Sequence, residues 1–283
     1  MRVRQSTLND ADKCLRSMQY SIESNVYHAG SVRAVGTGYH YGLEFAYDNH
    51  KRHGGFPDLA VIISEAQDDF DRTASMVPSH ESELTKEAGT FAWDKNAPDF
   101  ETAHSMIDVM LRAYFGDPEA PWPIGSQYEV LDTELGFALP LWGDQHTRNG
   151  SIDLVLQDED GWIIGEDHKT ASKKWNFNKH HARKNGQAVW YTQALKEMFP
   201  GAAGYRFVFD IMTYKGVFER REVHMTDEHF VAVDAKAMQV VAMYEGMRAG
   251  GMDMPANPSS MLCSPLYCDH WDICPYGAAL DVQ

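Results

Sequence analysis

Gly150-Ser151-Ile152-Asp153-Leu154-Val155-Leu156 and, beyond the acidic turn Asp158-Glu159-Asp160-Gly161, Trp162-Ile163-Ile164-Gly165-Glu166-Asp167-His168-Lys169-Thr170 decide how this chain folds. Both are short apolar runs rich in β-branched residues, and a glycine-closed turn separates them, which predicts a β-hairpin. The hairpin brings Asp153 and Asp167 together in space. Ile163 and Ile164 bury the second strand while three polar residues crowd its end, a local conflict of the kind found at functional sites. Side chains alternate across a strand, so Asp167 and Lys169 share a face that the neighbouring acid, Glu166, cannot reach. Asp167 is therefore the acid assigned to the site.

Outward from the hairpin, the breaker string Gly116-Asp117-Pro118-Glu119-Ala120-Pro121-Trp122-Pro123 precedes further strand-like runs at 128–131 and 135–141. A helix is expected over 187–198, then strands over 205–213 and 217–223 around Lys215-Gly216. Thr226, with Asp227 and Glu228 in the first turn, caps a long helix running to about Gly250. Toward the N-terminus, residues 1–55 read as helical, and apolar spacing over 58–76 and 99–115 predicts a helical insertion. The division expected is an N-terminal helical segment (1–55), the insertion (56–125), a core (126–225) and a C-terminal helix with a cysteine-rich tail (226–283), all in one integrated domain. With 283 residues, 43% of them hydrophobic, the chain can bury a full core of this kind.

Two carboxylates and an amine at one point suit a metal ion, a phosphate and an activated water. Carboxylate oxygens are the hard ligands that Mg2+ or Mn2+ prefers, and a lysine can position or deprotonate water. The expectation is a metal-dependent nuclease centre built on Asp153, Asp167 and Lys169. His40 follows glycines in Gly36-Thr37-Gly38-Tyr39-His40 and stands four residues before Glu44, so both share a helix side, and its imidazole can complete the site. His104 competes, but it borders the stripe Ala103, Met106, Ile107 and Met110, where packing explains it. Gln187 and Tyr191 share a helix face; an amide and a phenol there suit a phosphate or base, and an amphipathic helix beside the core explains them equally well.

A formal charge of -16 argues against a surface that coats nucleic acid indiscriminately, so any contact with it must be local. Lys173, Lys174, Lys179, Arg183 and Lys184 follow Lys169 with no acid among them, and form the expected nucleic-acid contact, although a solvated basic helix start reads the same way. No apolar run spans a bilayer and no signal-peptide region follows Met1, so a cytoplasmic, membrane-free protein is expected. Only four cysteines occur, Cys14 and then Cys263, Cys268 and Cys274, the last followed by Pro275. That is too sparse for a secreted disulfide framework and suits a soft-metal site, either an iron-sulfur cluster or zinc with His270 as a substitute ligand.

In this order the pieces resemble the PD-(D/E)XK nuclease superfamily, specifically its RecB-like branch with an iron-sulfur cluster, represented by AddB-type domains and the CRISPR-associated Cas-four-type exonucleases. Asp153 matches the strand acid, Asp167-His168-Lys169 the (D/E)-x-K triplet, Gln187 and Tyr191 the helix motif, and His40 the motif histidine. The resemblance implies an α/β restriction-endonuclease-like core with a mixed central sheet flanked by helices. It also implies Mg2+ or Mn2+ on His40, Asp153, Asp167 and the backbone carbonyl of His168, and a [4Fe-4S] cluster on Cys14, Cys263, Cys268 and Cys274. DNA, single-stranded or at ends, would be the substrate, with a helicase, recombination or integrase partner, since no phosphate-loop motor is present. Leu15 where the family often has proline, and four residues between Cys263 and Cys268 where it often has two, depart from the pattern and bear on cluster type. The competing readings are a non-catalytic DNA-end-binding or assembly subunit and a zinc-stapled protein without nucleic-acid function.

Overall fold

In chain order the elements are β1 (Arg2–Arg4), α1 (Gln5–Lys13), α2 (Leu15–Glu23), β2 (Val26–Gly30), α3 (Ser31–His53), α4 (Leu59–Ala74), β3 (Glu87–Ala92) and α5 (Phe100–Gly116), followed by β4 (Tyr128–Leu141), β5 (His146–Asp158), β6 (Trp162–Ala171), α6 (Gln187–Met198), β7 (Gly204–Thr213), β8 (Phe218–Glu222), α7 (Asp227–Ala249) and α8 (Pro275–Ala278). The structure is a computed structural model, describing residues 1–23, 26–75, 87–93, 97, 99–116, 127–142, 145–172, 186–264, 268 and 270–278. The basic residues Lys173, Lys174, Lys179, Arg183 and Lys184 lie outside this set.

The predicted hairpin forms as β5 and β6, antiparallel from Leu154 opposite Glu166 to Gln157 opposite Ile163. Gly161 turns it at φ +80, a conformation glycine adopts without penalty. Beyond the hairpin, β6 pairs parallel with β7 and β7 antiparallel with β8, while β5 also pairs antiparallel with β4 and parallel with β1. The result is a mixed six-stranded sheet. Alternation then sorts side chains onto two faces. Phe207, Phe209 and Ile211 of β7 join one core with Trp190 and Leu195 of α6 and Val240 of α7. Val208 and Met212 join the other, with Tyr39 and Leu43 of α3, Ile62 and Phe70 of α4, and Ile107 and Leu111 of α5. Helices therefore cover both faces of the sheet, and the α/β expectation holds.

Two close approaches depend on glycine. A Cβ at Gly165 would sit 2.8 Å from the Leu195 side chain, so α6 packs on β6 only over a bare position. One at Gly38 would sit 2.7 Å from the Ala66 carbonyl, which fixes how near α3 comes to α4. α3 is the helix that carries His40.

Three expectations need correction. Residues 1–55 are not wholly helical, because Arg2–Arg4 forms β1, with Val3 fully buried; a three-residue strand has no periodicity to read. The insertion is not wholly helical either: β3 pairs parallel with β2 in a separate two-stranded sheet, a contact between distant segments that local pattern does not reveal. The runs at 128–131 and 135–141 are one strand, β4, which passes through Glu134 at φ +46 without leaving the sheet. The N-terminal helices are tied to the C-terminal segment. Arg16 N donates to the Pro255 carbonyl at 3.2 Å, and the Gln19 amide takes Asp253 Oδ1 at 3.2 Å and Met254 N at 2.8 Å. No helix among the described residues is long and apolar enough to cross a membrane.

Candidate metal centre

The site sits where the sheet forks. One edge of β5 is shared: Thr147 to Asn149 pair with β1, and Leu154 to Gln157 pair with β6. Between them, residues 150–153 have no ladder partner on that edge, and β6 runs on past Glu166 paired only with β7. A buried N–H at such a fork needs an acceptor. Asp153 supplies it, its Oδ2 accepting from His168 N at 2.7 Å. The carboxylate is thus pinned at the point of divergence, within reach of groups from both faces.

His40 comes down from α3 to place Nδ1 3.3 Å from Asp153 Oδ2. Asp167, 2% exposed, pairs with the Lys169 ammonium two residues on and accepts from the Gln187 amide at the start of α6. The structure therefore brings together His40, Asp153, Asp167, Lys169 and Gln187. Gln187 is engaged with Asp167, so in this arrangement it aims the acid. Tyr191 lies one turn on, largely buried, its ring 5.6 Å from Phe137. The His168 ring stays beside His40, 5.9 Å between centroids, with Nδ1 3.7 Å from Asp153 Oδ2, on the face opposite Asp167 that Glu166 shares. There Arg220 of β8 binds Glu166 and, at 3.0 and 3.1 Å, both oxygens of Asp210. Ligand atoms of Glu166, His168 and Asp210 lie within 4.8 Å of one another, but a divalent ion there would have to displace the guanidinium, so this cluster is structural.

Electrostatics separate the two acids from ordinary surface carboxylates. Burial, then the Asp167 and Glu134 carboxylates, push Asp153 well up, against Lys169 and the His168 N–H. Burial also raises Asp167 despite Lys169 and Gln187. Burial alone would lower Lys169; the carboxylates of Asp167 and Asp153 reverse this and hold it above its usual value. His40 is kept neutral, down at about 3, by burial and by Lys169. Crowded hard oxygens, short of positive charge and with a neutral imidazole beside them, are the donor set a small divalent cation fits.

Glu134 escaped the sequence reading. Its oxygen falls within 4.8 Å of the ligand atoms of His40 and Asp153, and Ser151 Oγ donates to its Oε2 at 2.8 Å. A glutamate in the left-handed region costs roughly 1–2 kcal/mol relative to ordinary strand geometry. The clue was available in the sequence as the polar interruption Asp132-Thr133-Glu134 between two strand-like runs.

Two clefts meet over these groups. One, of about 1020 Å3, runs along α3 past Arg33, Tyr41, His40 and Glu134; the other, of about 750 Å3, is walled by Arg4, Ser6, Asn149, Gln187 and Tyr191. Lys169 and Ser151 line both. Elsewhere, Cys14, Cys263, Cys268 and Cys274 are free thiols lining one cavity between α1 and the C-terminal segment. Burial pushes the Cys263 and Cys268 thiols up, and the neighbouring cysteines add to it.

No curated protein matches the chain. A solved structure of a candidate exonuclease from Eubacterium rectale overlaps it at a TM-score of 0.35 and 16% identity, over 80% of this chain and 85% of that one, too loose a likeness to bear on activity. The sequence model of the PD-(D/E)XK nuclease superfamily matches residues 5–275. That span takes in the fork, both acids and Lys169, and the chain belongs to the PD-(D/E)XK nuclease superfamily.

Proposed function

We propose that the chain is a metal-dependent DNA exonuclease acting on single-stranded DNA or DNA ends, in the RecB-like, iron-sulfur branch of its superfamily. One observation carries the reading: Asp153, Asp167, Lys169 and His40 converge at the sheet fork, where His40 lines one cleft and Lys169 lines both. A passage of that extent suits a polymer laid across the site better than a small molecule enclosed within it.

Asp153, Asp167, His40 and the backbone carbonyl of His168 would hold Mg2+ or Mn2+. The bound cation supplies a lowered water pKa and offsets phosphate charge. Lys169, its ammonium kept charged by two carboxylates, orients the attacking water and offsets charge that develops on the phosphoryl oxygens. The water oxygen bonds to phosphorus as the P–O ester bond opposite breaks; the attacking water gives up its proton to solvent, and the departing alkoxide takes one up from solvent. Gln187 holds Asp167 in place, Tyr191 borders the path of the strand, and Lys173, Lys174, Lys179, Arg183 and Lys184 guide it in. The insertion at 56–125 would act with the 126–225 core as one body, and a helicase, recombination or integrase partner would supply any motor.

The four cysteines would carry a [4Fe-4S] cluster joining α1 to the C-terminal segment. A zinc ion with bonds of about 2.3 Å would draw its four sulfurs to within about 3.8 Å of one another. A [4Fe-4S] cluster would hold them further apart, and zinc is the alternative occupant of the same four thiols. Iron analysis and visible absorbance of anaerobically purified protein test this, with Cys14→Ala losing both the absorbance and thermal stability.

The nuclease reading is tested with end-labelled single- and double-stranded DNA in Mn2+ or Mg2+. Asp153→Ala and Lys169→Ala are each expected to lose about 1000-fold in rate or more, the scale on which removal of one transition-state donor acts. Equal degradation by all three proteins would refute it.

A further inference from the structure

We propose that Glu134 is a ligand to a second divalent cation, held with Asp153 and with His40, which then leaves the first cation to Asp153, Asp167 and the His168 carbonyl. The inference rests on the metal-centre reading and assigns a carboxylate which that reading leaves out.

Three donors meet here from three elements: a carboxylate from β4, a carboxylate from β5 and an imidazole from α3, with ligand atoms within 4.8 Å of one another. Ser151 Oγ holds Glu134 Oε2 at 2.8 Å, which fixes the carboxylate and leaves Oε1 for a cation. The flanking residues pair normally, Thr133 with Leu154 and Leu135 with Ile152, so Glu134, at positive φ, stands out of the ladder between them, across from Asp153. It lines the same cleft as His40 and Lys169. Asp153 has two oxygens and stands between the two ligand sets, so it can serve both cations.

Charge points the same way. Glu134, Asp153 and Asp167 carry three negative charges against the one positive charge of Lys169. One divalent ion cancels that excess in the resting site. A phosphodiester and a hydroxide then add two more negative charges, and a second divalent ion cancels these. Without Glu134 that second ion would have one carboxylate, shared with its neighbour.

The test uses the full chain, stripped of metal with a chelator and titrated with Mn2+ alone, with free Mn2+ counted by electron paramagnetic resonance. The wild type is expected to bind two ions. Glu134→Gln and Glu134→Gly should keep the tighter one and weaken the other by about tenfold or more, the lower end of what loss of even an outer-shell partner does to a metal site. Glycine accepts the positive φ at this position, so metal-free Glu134→Gly should melt no lower than the wild type, which separates a lost ligand from a damaged fold. A wild type that binds one ion, or variants that bind both as tightly as it does, would overturn the inference and leave the metal-centre reading standing. A wild type that binds none would remove both.

Discussion

The two faces of β6 pose the same problem and solve it differently. On one, Asp167 meets Lys169, with Asp153 alongside; on the other, Glu166 and Asp210, both fully buried, meet Arg220. The closed face uses the protein's own guanidinium, whose planar fork spans two carboxylates, and backs it with aromatic rings: Tyr114 stands against His168, and its hydroxyl meets that of Tyr47 at 2.8 Å. The open face is left short of positive charge beside a cleft. Both faces set two acids against one fixed cation; the closed pair, fully buried and bonded to a single guanidinium, is structural, whereas the open pair, with Glu134 added and a cleft alongside, is where an outside cation belongs.

Arg220→Met should break the closed face, leaving two buried carboxylates uncompensated and costing about 3–5 kcal/mol in urea unfolding; a cost below about 1 kcal/mol would erase the contrast. Second in size is a pH effect on the open face. In metal-free protein His40 titrates at about 3, against about 6.5 for the unfolded chain. Below 6.5 the unfolded state therefore binds more protons, and the wild type should lose about 2 kcal/mol relative to His40→Gln between pH 7 and pH 5. Unfolding both proteins at the two pH values measures this, and a constant difference would mean the imidazole is not shielded. Asp153→Asn should stabilise metal-free protein by about 1 kcal/mol at pH 7, because it removes a poorly compensated buried charge and keeps an acceptor for the His168 N–H. A loss would place Asp153 with the closed type. Smallest is Lys51→Met, which removes an exposed ion pair to Asp132 at 2.8 Å and should change stability by less than about 0.5 kcal/mol. It sets the baseline against which the buried charges count.

What was legible in the sequence was local. The hairpin followed from two apolar runs and a glycine turn, and α6 and α7 from spacing and a threonine cap, because each rests on contacts a few residues apart. Alternation on one strand was enough to put Asp167 and Lys169 on one face and Glu166 on the other. What escaped depended on partners far along the chain. β1 exists only because β5 receives it, and Phe218-Glu219-Arg220-Arg221-Glu222 shows no sign that one arginine turns inward to meet acids on β6 and β7. Glu134 fell between two runs read as separate strands, since a single left-handed residue inside a strand disrupts the alternation by which strands are recognised.

The tie between the first helices and residues 253–255 has a consequence for biosynthesis. Gln19 and Asp253 are 234 positions apart, and β1 finds its place on β5 only after residue 149 has emerged from the ribosome. The segment holding β1 and α2 thus waits, unclosed, for partners far downstream, which slows assembly and exposes the nascent chain to chaperones. The same delay is a safeguard. A translation product that stops before residue 253 lacks the clasp that seats α2, and a nuclease of this design would become competent only once that segment is made.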